Sequence, residues 1–493
     1  MKCTSQYYLI KSTVLIIIGF LSGCGIYHSD QRKMIARIGN RIIDRKMLNQ
    51  SFELNPKWGK GLTNEQAYFN QLNYLIDEKL FAQAAEKDGM DKDSVLSRYL
   101  SFIKQKEVIK GLYTKMIASK VEISEKEYQQ GYEKLKRKVV LNYIFTPNYQ
   151  HALEYLNAWQ TSEFENVKLI DESLELKGQT QPYSFGDMQP ELDNVVFDLK
   201  QNEISNPIPI DNGYMIVQLV SGSIDLFMSE TDFAENKNRI RKVIYDRKAG
   251  KIANSYIKNM MKDKNLKLNP PIFYALSNEL SKIVKNKYSE DPLPIYINDQ
   301  EINTTQNHLQ EILPEVLITY KDGQMTAGDF LMNLNGMPPN LRPRVNMAPQ
   351  LKNAIGVMVR NKFLAKQAME MGLEKNPEVI REIEIQSDQL LAKYWLLTKE
   401  KEIEVSEREI EDFKISKRFE ELKQRLGDTP TSEQIRDILI DYKFQIEKMK
   451  LSESMRNQLP VKIDSLELQR NIKKPDQKIK NDPIRFVYRE LFN

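Results

Sequence analysis

Lys79-Leu80-Phe81-Ala82-Gln83-Ala84-Ala85-Glu86-Lys87-Asp88-Gly89-Met90 has a counterpart in Lys362-Phe363-Leu364-Ala365-Lys366-Gln367-Ala368-Met369-Glu370-Met371-Gly372-Leu373, at an offset of about 282 residues. Both stretches read as helices ended by a glycine, the residue that adopts the left-handed cap conformation without a steric penalty. Downstream, Val121-Glu122-Ile123-Ser124-Glu125-Lys126-Glu127 aligns with Ile403-Glu404-Val405-Ser406-Glu407-Arg408-Glu409. Each carries Ser-x-x-Glu, a capping box that opens a new helix. Upstream, Ile38-Gly39-Asn40-Arg41-Ile42-Ile43 matches Tyr320-Lys321-Asp322-Gly323-Gln324-Met325 in spacing, with a polar turn between short apolar runs, as in a hairpin. These signals at nearly one offset imply a duplicated module that opens with strands and continues as helices. In the first copy Thr63-x-x-Gln66 reads as a capping box ahead of an apolar stripe of Phe69, Leu72, Ile76 and Leu80. In the second, Thr431-x-x-Gln434 opens a helix carrying Ile435, Ile438, Leu439 and Tyr442.

At 493 residues the chain has room for about three domains. Its 41% hydrophobic and 28% charged content fits globular folding, and 20 Gly with 20 Pro exclude a collagen-like chain. With 72 basic and 68 acidic side chains the net charge is only +4, and no Lys/Arg cluster is interleaved with stacking aromatics, which argues against nucleic-acid binding.

The first residues carry Lys2 and Lys11 before the apolar run Val14 to Leu21, too short to span a bilayer but suited to the core of a signal peptide. Leu21-Ser22-Gly23-Cys24 follows directly and resembles a bacterial lipobox, which makes Cys24 the expected lipidation site and residues 1–23 the discarded signal. The remaining cysteine, Cys3, lies in that segment, so no disulfide is expected in the mature chain. Multiple acyl chains would anchor the protein stably. Gly25 lacks the Asp that, by resemblance, retains lipoproteins in the inner membrane, so the periplasmic face of the outer membrane is expected.

Between the copies the texture changes. Val139-Val140-Leu141-Asn142-Tyr143-Ile144-Phe145 reads as a buried strand. A helix with Ala152, Tyr155, Leu156 and Trp159 on its apolar face follows, then Phe185-Gly186-Asp187-Met188-Gln189-Pro190-Glu191-Leu192, the turn Glu203-Ile204-Ser205-Asn206-Pro207, and the strand Gly213-Tyr214-Met215-Ile216-Val217. The Gly-x-Met-x-Pro-Glu helix start, the Glu-Ile-Ser-x-Pro turn and the Gly-Tyr strand together resemble a parvulin domain. With the helical module before it, the chain over roughly residues 34 to 265 resembles the parvulin-type periplasmic chaperones, including the SurA and PrsA families. The expected fold is therefore α+β, with mostly helical, duplicated chaperone modules and an inserted parvulin-like α/β domain.

The resemblance implies a prolyl-isomerase pocket. Such an enzyme lowers a rotation barrier near ~20 kcal/mol by desolvating and hydrogen bonding the amide. Parvulins use two histidines, a Cys or Asp, and a pocket of Met, Leu and Phe. Carried over residue by residue, the first-strand histidine falls on Tyr143 and the last-strand histidine on Met215. The pocket Met corresponds to Met188, the pocket Phe to Leu192, the acidic or thiol position to Asp171 or its neighbour, and a core aromatic to Phe197. The three histidines, His28, His151 and His308, all lie outside these positions. No catalytic residue is assigned, and Tyr143, Asp171, Met188, Leu192 and Met215 are expected to form a degenerate proline pocket or peptide groove. No cofactor is expected, and no ligand spacing for zinc or calcium is present.

The boundaries expected are a signal peptide at 1–23, a lipidated tether at 24–33, an N-terminal helical module at 34–137, the parvulin-like domain at 138–222, a returning helical segment at 223–290, a second helical module at 291–470 and a tail at 471–493; residues 266–310 carry mixed signals. The function implied is a lipid-anchored extracytoplasmic chaperone that binds unfolded or nascent exported or outer-membrane proteins. The alternatives are an active, divergent peptidyl-prolyl isomerase and a structural lipoprotein of an envelope machine. Cys24→Ala should abolish metabolic labelling with a fatty acid and leave uncleaved precursor on a gel. Mature-sized, membrane-associated protein from that variant would contradict the lipobox.

Overall fold

The computed structural model describes residues 33–54, 61–210, 213–224, 230–287, 296–426 and 428–473. Cys24, the expected signal segment 1–23, the expected tether up to residue 32 and the chain beyond residue 473 lie outside the described residues.

The described chain is mostly helical with three antiparallel sheets. A hairpin, β1 (Met34–Ile38) and β2 (Arg41–Asp44), leads into α1 (Arg45–Leu54), the long α2 (Asn64–Lys87) and α3 (Ser94–Met116), and α4 (Glu125–Leu135). Next come β3 (Arg137–Thr146), α5 (Tyr149–Thr161), β4 (Leu176–Gln179), β5 (Tyr183–Ser184), α6 (Pro190–Val196), β6 (Ile208–Ile210) and β7 (Gly213–Ile224). The returning helix α7 (Glu230–Met261) is followed by β8 (Lys267–Leu268), α8 (Pro270–Lys287) and α9 (Asp299–His308), which fall in the stretch of mixed signals. The second copy then runs β9 (Val316–Tyr320), β10 (Gly323–Thr326), α10 (Ala327–Asn335), α11 (Ala348–Glu370), α12 (Pro377–Lys401) and α13 (Glu407–Lys414). The chain closes with α14 (Lys417–Leu426), α15 (Ser432–Gln458), β11 (Val461–Ile463) and α16 (Ser465–Lys473).

The element order β1 to α4 is repeated as β9 to α13. Gly89 and Gly372 take the same left-handed conformation, with φ of 76° and 70°, and each starts a short 3-10 turn. Ser124 and Ser406 both accept from the backbone three residues on, while Glu127 and Glu409 reach back to cap them. The repeat continues past the insertion at a different offset. Ile240-Arg241-Lys242-Val243-Ile244-Tyr245-Asp246-Arg247-Lys248 on α7 matches Ile435-Arg436-Asp437-Ile438-Leu439-Ile440-Asp441-Tyr442-Lys443 on α15, 195 residues apart. Lys248 donates to the Glu122 carbonyl at 2.5 Å and pairs with Glu127 at 2.6 Å. Lys443 does the same with the Glu404 carbonyl at 2.7 Å and Glu409 at 2.6 Å. Hydrogen bonds from the lysine and from the capping serine hold both carboxyls down at about 2.

The described residues gather into two compact units: one combines those of 33–104 with those of 380–473, the other holds those of 105–379. In the first unit β11 adds to the hairpin to give the order β11-β1-β2. In the second, β8 adds to β9 to give β10-β9-β8. The third strand of each hairpin thus comes from the segment that follows the other copy.

In the first unit Ile35, Ile38, Ile43 and Leu48 pack on Leu72, Leu75, Ile76 and Leu80 of α2. The capping box is formed, Thr63 Oγ1 accepting from the Gln66 backbone at 3.3 Å. Phe69, expected in the stripe, is 48% exposed, because Tyr68 turns inward instead and stacks on Phe52 at 4.3 Å. The C-terminal residues expected as tail begin within α16, where Asn471 exchanges amide hydrogen bonds with Asn49 at 3.1 and 2.8 Å. Asp388 on α12 is buried and accepts from Lys79 at 2.7 Å and from Arg41 at 2.8 Å. Beside it, burial pushes the Glu78 carboxyl up to about 7, against the pull of Lys79. In the second unit Phe273, Leu276, Leu317, Phe330, Leu331 and Ile355 form the corresponding core.

Removing one partner of a buried pair leaves an uncompensated charge, typically costing about 3–5 kcal/mol. Asp388→Asn should therefore lower stability by about that amount in urea unfolding, whereas Glu86→Gln, at the exposed end of the Arg41 contact, should cost under about 1 kcal/mol.

Candidate functional site

The five-stranded sheet has the order β4-β3-β7-β6, with β5 on the far part of β3. Alternation along β3 divides its side chains between two faces. Ile144 points to the face covered by Ala152, Tyr155, Leu156 and Trp159 of α5, together with Ile216 of β7. Leu141, Tyr143 and Phe145 point to the other face, where α6 contributes Leu192 and Val196 to a shared core with Val217 and Leu219. On that face a pocket of about 570 Å³ opens between β3, β7 and the start of α6.

Tyr143, Met188, Leu192 and Met215, four of the five residues singled out in the sequence, line this pocket together with Leu176, Thr180, Ile210 and Val217. The strand register explains the convergence: Phe145 lies opposite Met215 and Tyr143 opposite Val217, so both strands present odd-numbered residues to the same side. Opposite Tyr143 on its other flank is Gly178, where an added Cβ would come 3.2 Å from the phenol oxygen. The absent side chain leaves the space into which Tyr143 lies. Leu192 is carried by α6, whose first residue is Pro190, pre-set for a helix start, and Met188 lies in the turn just before it.

Asp171, the fifth residue, is not among the groups that line this pocket and lies in a turn. Its carboxylate accepts from the Ser173 backbone at 3.0 Å, and its own N–H donates to Glu175 at 2.9 Å. The acid at the pocket rim is Asp187, which accepts from the Ser184 backbone at 2.9 Å and from Arg239 at 2.7 Å.

Of the described histidines neither reaches the pocket. His308 binds Glu279 at 2.6 Å on α9. His151 lies on α5 and bonds to Glu175 at 2.8 Å. No group of three or more His, Cys, Asp or Glu side chains that could hold a metal occurs among the described residues.

Two polar anchors missed in the sequence shape the pocket walls. Asp193, fully buried on α6, accepts from the Gly186 N–H at 2.8 Å and pairs with Arg247 of α7. Burial raises its carboxyl despite that partner. Gly186 has φ of 92°, and a Cβ there would come 2.4 Å from Val243, so only glycine fits. The second anchor is Glu175, 2% exposed, which accepts from Thr146 at 2.7 Å, from His151, from the Asp171 N–H and from the Tyr155 hydroxyl. Burial would raise the carboxyl, but these hydrogen bonds hold it at about 2, while burial and the Glu175 contact push Tyr155 up to about 12. A lone Glu just before a strand gives no sequence signal for such a network, since three of its four donors, Thr146, His151 and Tyr155, come from other elements.

A carboxyl lowered in the folded state contributes stability that is complete above its unfolded value near ~4.5 and is lost as pH falls toward about 2. Hydrogen exchange over residues 165–179, corrected for intrinsic rates, should therefore speed up across that window. Glu175→Gln should show the loss already at pH 7.

The geometry offers an apolar pocket with a phenol and several amides at its edge. It holds no base paired with a nucleophile. Residues 123–221, nearly the whole of the sheet and its helices, match the family model of the PPIC-type PPIASE domain. No curated protein matches the chain. Among solved structures, the peptidyl-prolyl isomerase PrsA of Bacillus anthracis is 16% identical, with 44% of this chain and 89% of that one covered and a TM-score of 0.21. A structure from the study of PEB4 and Cj1289, two SurA-like chaperones of Campylobacter jejuni, is 16% identical over 48% of this chain and 100% of that one, with a TM-score of 0.22. The foldase PrsA of Streptococcus pneumoniae is 14% identical over 55% and 82%, with a TM-score of 0.19. The match to the PPIC-type PPIASE family is thus a match of the domain at residues 123–221.

Proposed function

We propose that the protein is an extracytoplasmic, lipid-anchored folding chaperone whose parvulin-type domain holds proline-containing or aliphatic segments of unfolded exported proteins and isomerises them weakly. The observation that carries the reading is the pocket itself. Met188, Leu192 and Met215 give it apolar walls, and by the resemblance the family's two histidine positions carry over to Tyr143 and Met215. An apolar pocket of about 570 Å³ accepts a proline ring or an aliphatic side chain. Without the imidazole pair it lacks the hydrogen-bonding groups that weaken the amide bond. Lipid attachment at Cys24 accounts for the signal-like start, and no helix among the described residues is long and apolar enough to cross a membrane. Exposed Leu174 and Leu176 extend apolar surface beyond the pocket edge, as suits an extended client.

The test pairs catalysis with holding. A protease-coupled assay on a Xaa-Pro peptide should give weak activity for the wild-type chain. Tyr143→His combined with Met215→His should raise it by about tenfold or more, since well-placed acid/base or hydrogen-bonding groups contribute about 10²- to 10⁴-fold and partial misplacement costs about 10²-fold. Suppression of aggregation of an unfolded client should be unchanged in that variant. Strong catalysis by the wild type, unaffected by the histidines, would instead establish a divergent active isomerase.

A further inference from the structure

The polar groups that line the pocket of the inserted domain differ in whether they are already engaged. Asp187 is held by Arg239, the Gln179 amide donates to Asn142 at 3.0 Å, and Thr180 Oγ1 accepts from the Leu141 N–H at 3.1 Å. The Tyr143 hydroxyl makes no hydrogen bond among the described residues, and neither do the Tyr183 hydroxyl and the Gln181 side chain. Two of these three lie toward the rim. Gln181 is exposed, and Tyr183 sits on β5 opposite Val139, about 13 Å along β3 from Tyr143.

Tyr143 is half-buried and central. It lies opposite Val217 on β7, one pleat from the Phe145–Met215 pair, and on its other flank the oxygen and the outer part of the ring lie over Gly178, which has no side chain to cover them. The cavity walls nearest in register, Met188, Leu192, Met215 and Val217, are apolar. A hydroxyl partly withdrawn from water, with no partner in the protein, is a donor left available to whatever the pocket receives. The pocket lacks the imidazole pair, and this phenol is the donor that it retains among its apolar walls.

We propose that Tyr143 is a catalytic residue of this pocket, its O–H donating to the imide nitrogen of a bound Xaa-Pro bond as that bond twists. The proposal rests on the reading of the domain as a weak isomerase and names the group responsible. In the planar amide the nitrogen lone pair is delocalised into the carbonyl, which makes the nitrogen a poor acceptor and gives the C–N bond its partial double-bond character. In the twisted transition state the lone pair is localised on nitrogen and accepts well. Proline carries no N–H, so the nitrogen is open to a donor. A hydrogen bond formed only in the twisted state lowers the barrier without tightening the ground-state complex. Donation to the carbonyl oxygen would act in the opposite sense, by strengthening the double-bond character. No covalent bond breaks, and the proton stays on the phenol oxygen. A single neutral donor keeps the gain small, since one such hydrogen bond corresponds to about fivefold in rate.

The test uses the full chain and a carbon-13-labelled Ala-Leu-Pro-Phe peptide, whose cis and trans signals exchange at a rate read directly by NMR without a coupling protease. Titration followed on the same signals gives the Kd. Tyr143→Phe keeps the ring and removes only the hydroxyl. The expected result is a kcat for exchange lowered about fivefold, with Kd unchanged within about twofold and the thermal melt unchanged. A loss of affinity that accounts for the whole fall in rate would make the phenol a binding contact and overturn the proposal. Equal kcat in Tyr143→Phe and wild type would overturn it too, while leaving the weak-isomerase reading in place with some other donor. If Tyr183→Phe lowers kcat and Tyr143→Phe does not, the donor is the other phenol and the proposal fails. A wild-type chain that binds the peptide without speeding its exchange overturns the proposal together with the isomerase half of the reading above, and leaves only holding.

Discussion

A two-stranded hairpin is marginal in water, because half of its backbone groups face an open edge and its apolar face is small. Both hairpins of this protein meet that constraint by receiving a third strand from far along the chain. Val461–Ile463 adds to the first hairpin and Lys267–Leu268 to the second. Each added strand is tied to a following helix, and Leu468 of α16 lies in the core of the first unit, as Phe273 and Leu276 of α8 do in that of the second. The consequence is that neither copy closes on itself. The first unit cannot complete its sheet until synthesis has reached the end of the second copy, which makes its folding a matter of long-range contacts.

A second repeated constraint fixes the helices that flank the insertion. A lysine on the returning helix donates to a backbone carbonyl and to the capping glutamate of the shorter helix, in both copies. This clamp orients the helix pair without reference to what lies between the two helices in sequence. In one copy that interval holds the five-stranded domain, in the other a single ten-residue helix. The same frame therefore tolerates very different inserts, and the inserted domain is fastened to it by Arg247, Asp193 and the close approach at Gly186.

The shape of the pocket in the inserted domain is set apart from its polar groups. Its apolar walls come from strand alternation and from the start of α6, neither of which depends on the identity of the residues at Tyr143 and Met215. The anchors that hold the walls, Glu175 on one side of the sheet and Asp193 on the other, do not line the cavity. A substitution at Tyr143 or Met215 would therefore alter the groups that face the cavity and leave the elements that build its walls in place.

Much of this was legible in the sequence. The capping boxes at Thr63, Ser124, Ser406 and Thr431 formed as read, because a cap is a contact between residues three apart and needs no tertiary context. The glycine stops and hairpin turns were legible for the same reason. So was the inserted domain, with its pocket residues Tyr143, Met188, Leu192 and Met215, since strand alternation and a Pro-initiated helix determine which side chains share a face. The match between α7 and α15 was present too, but its offset differs from that of the first repeat by the length of the insertion and so escaped a search at one spacing. What only the tertiary structure decided was every feature that depends on partners from distant elements: the inward turn of Tyr68 in place of Phe69, the turn role of Asp171, the Glu175 and Asp388 networks, and the exchange of third strands between the copies. Local sequence specifies each helix and strand by short-range sterics and hydrogen bonds. Which strand fills an open edge depends on where the rest of a long chain can bring its apolar surface.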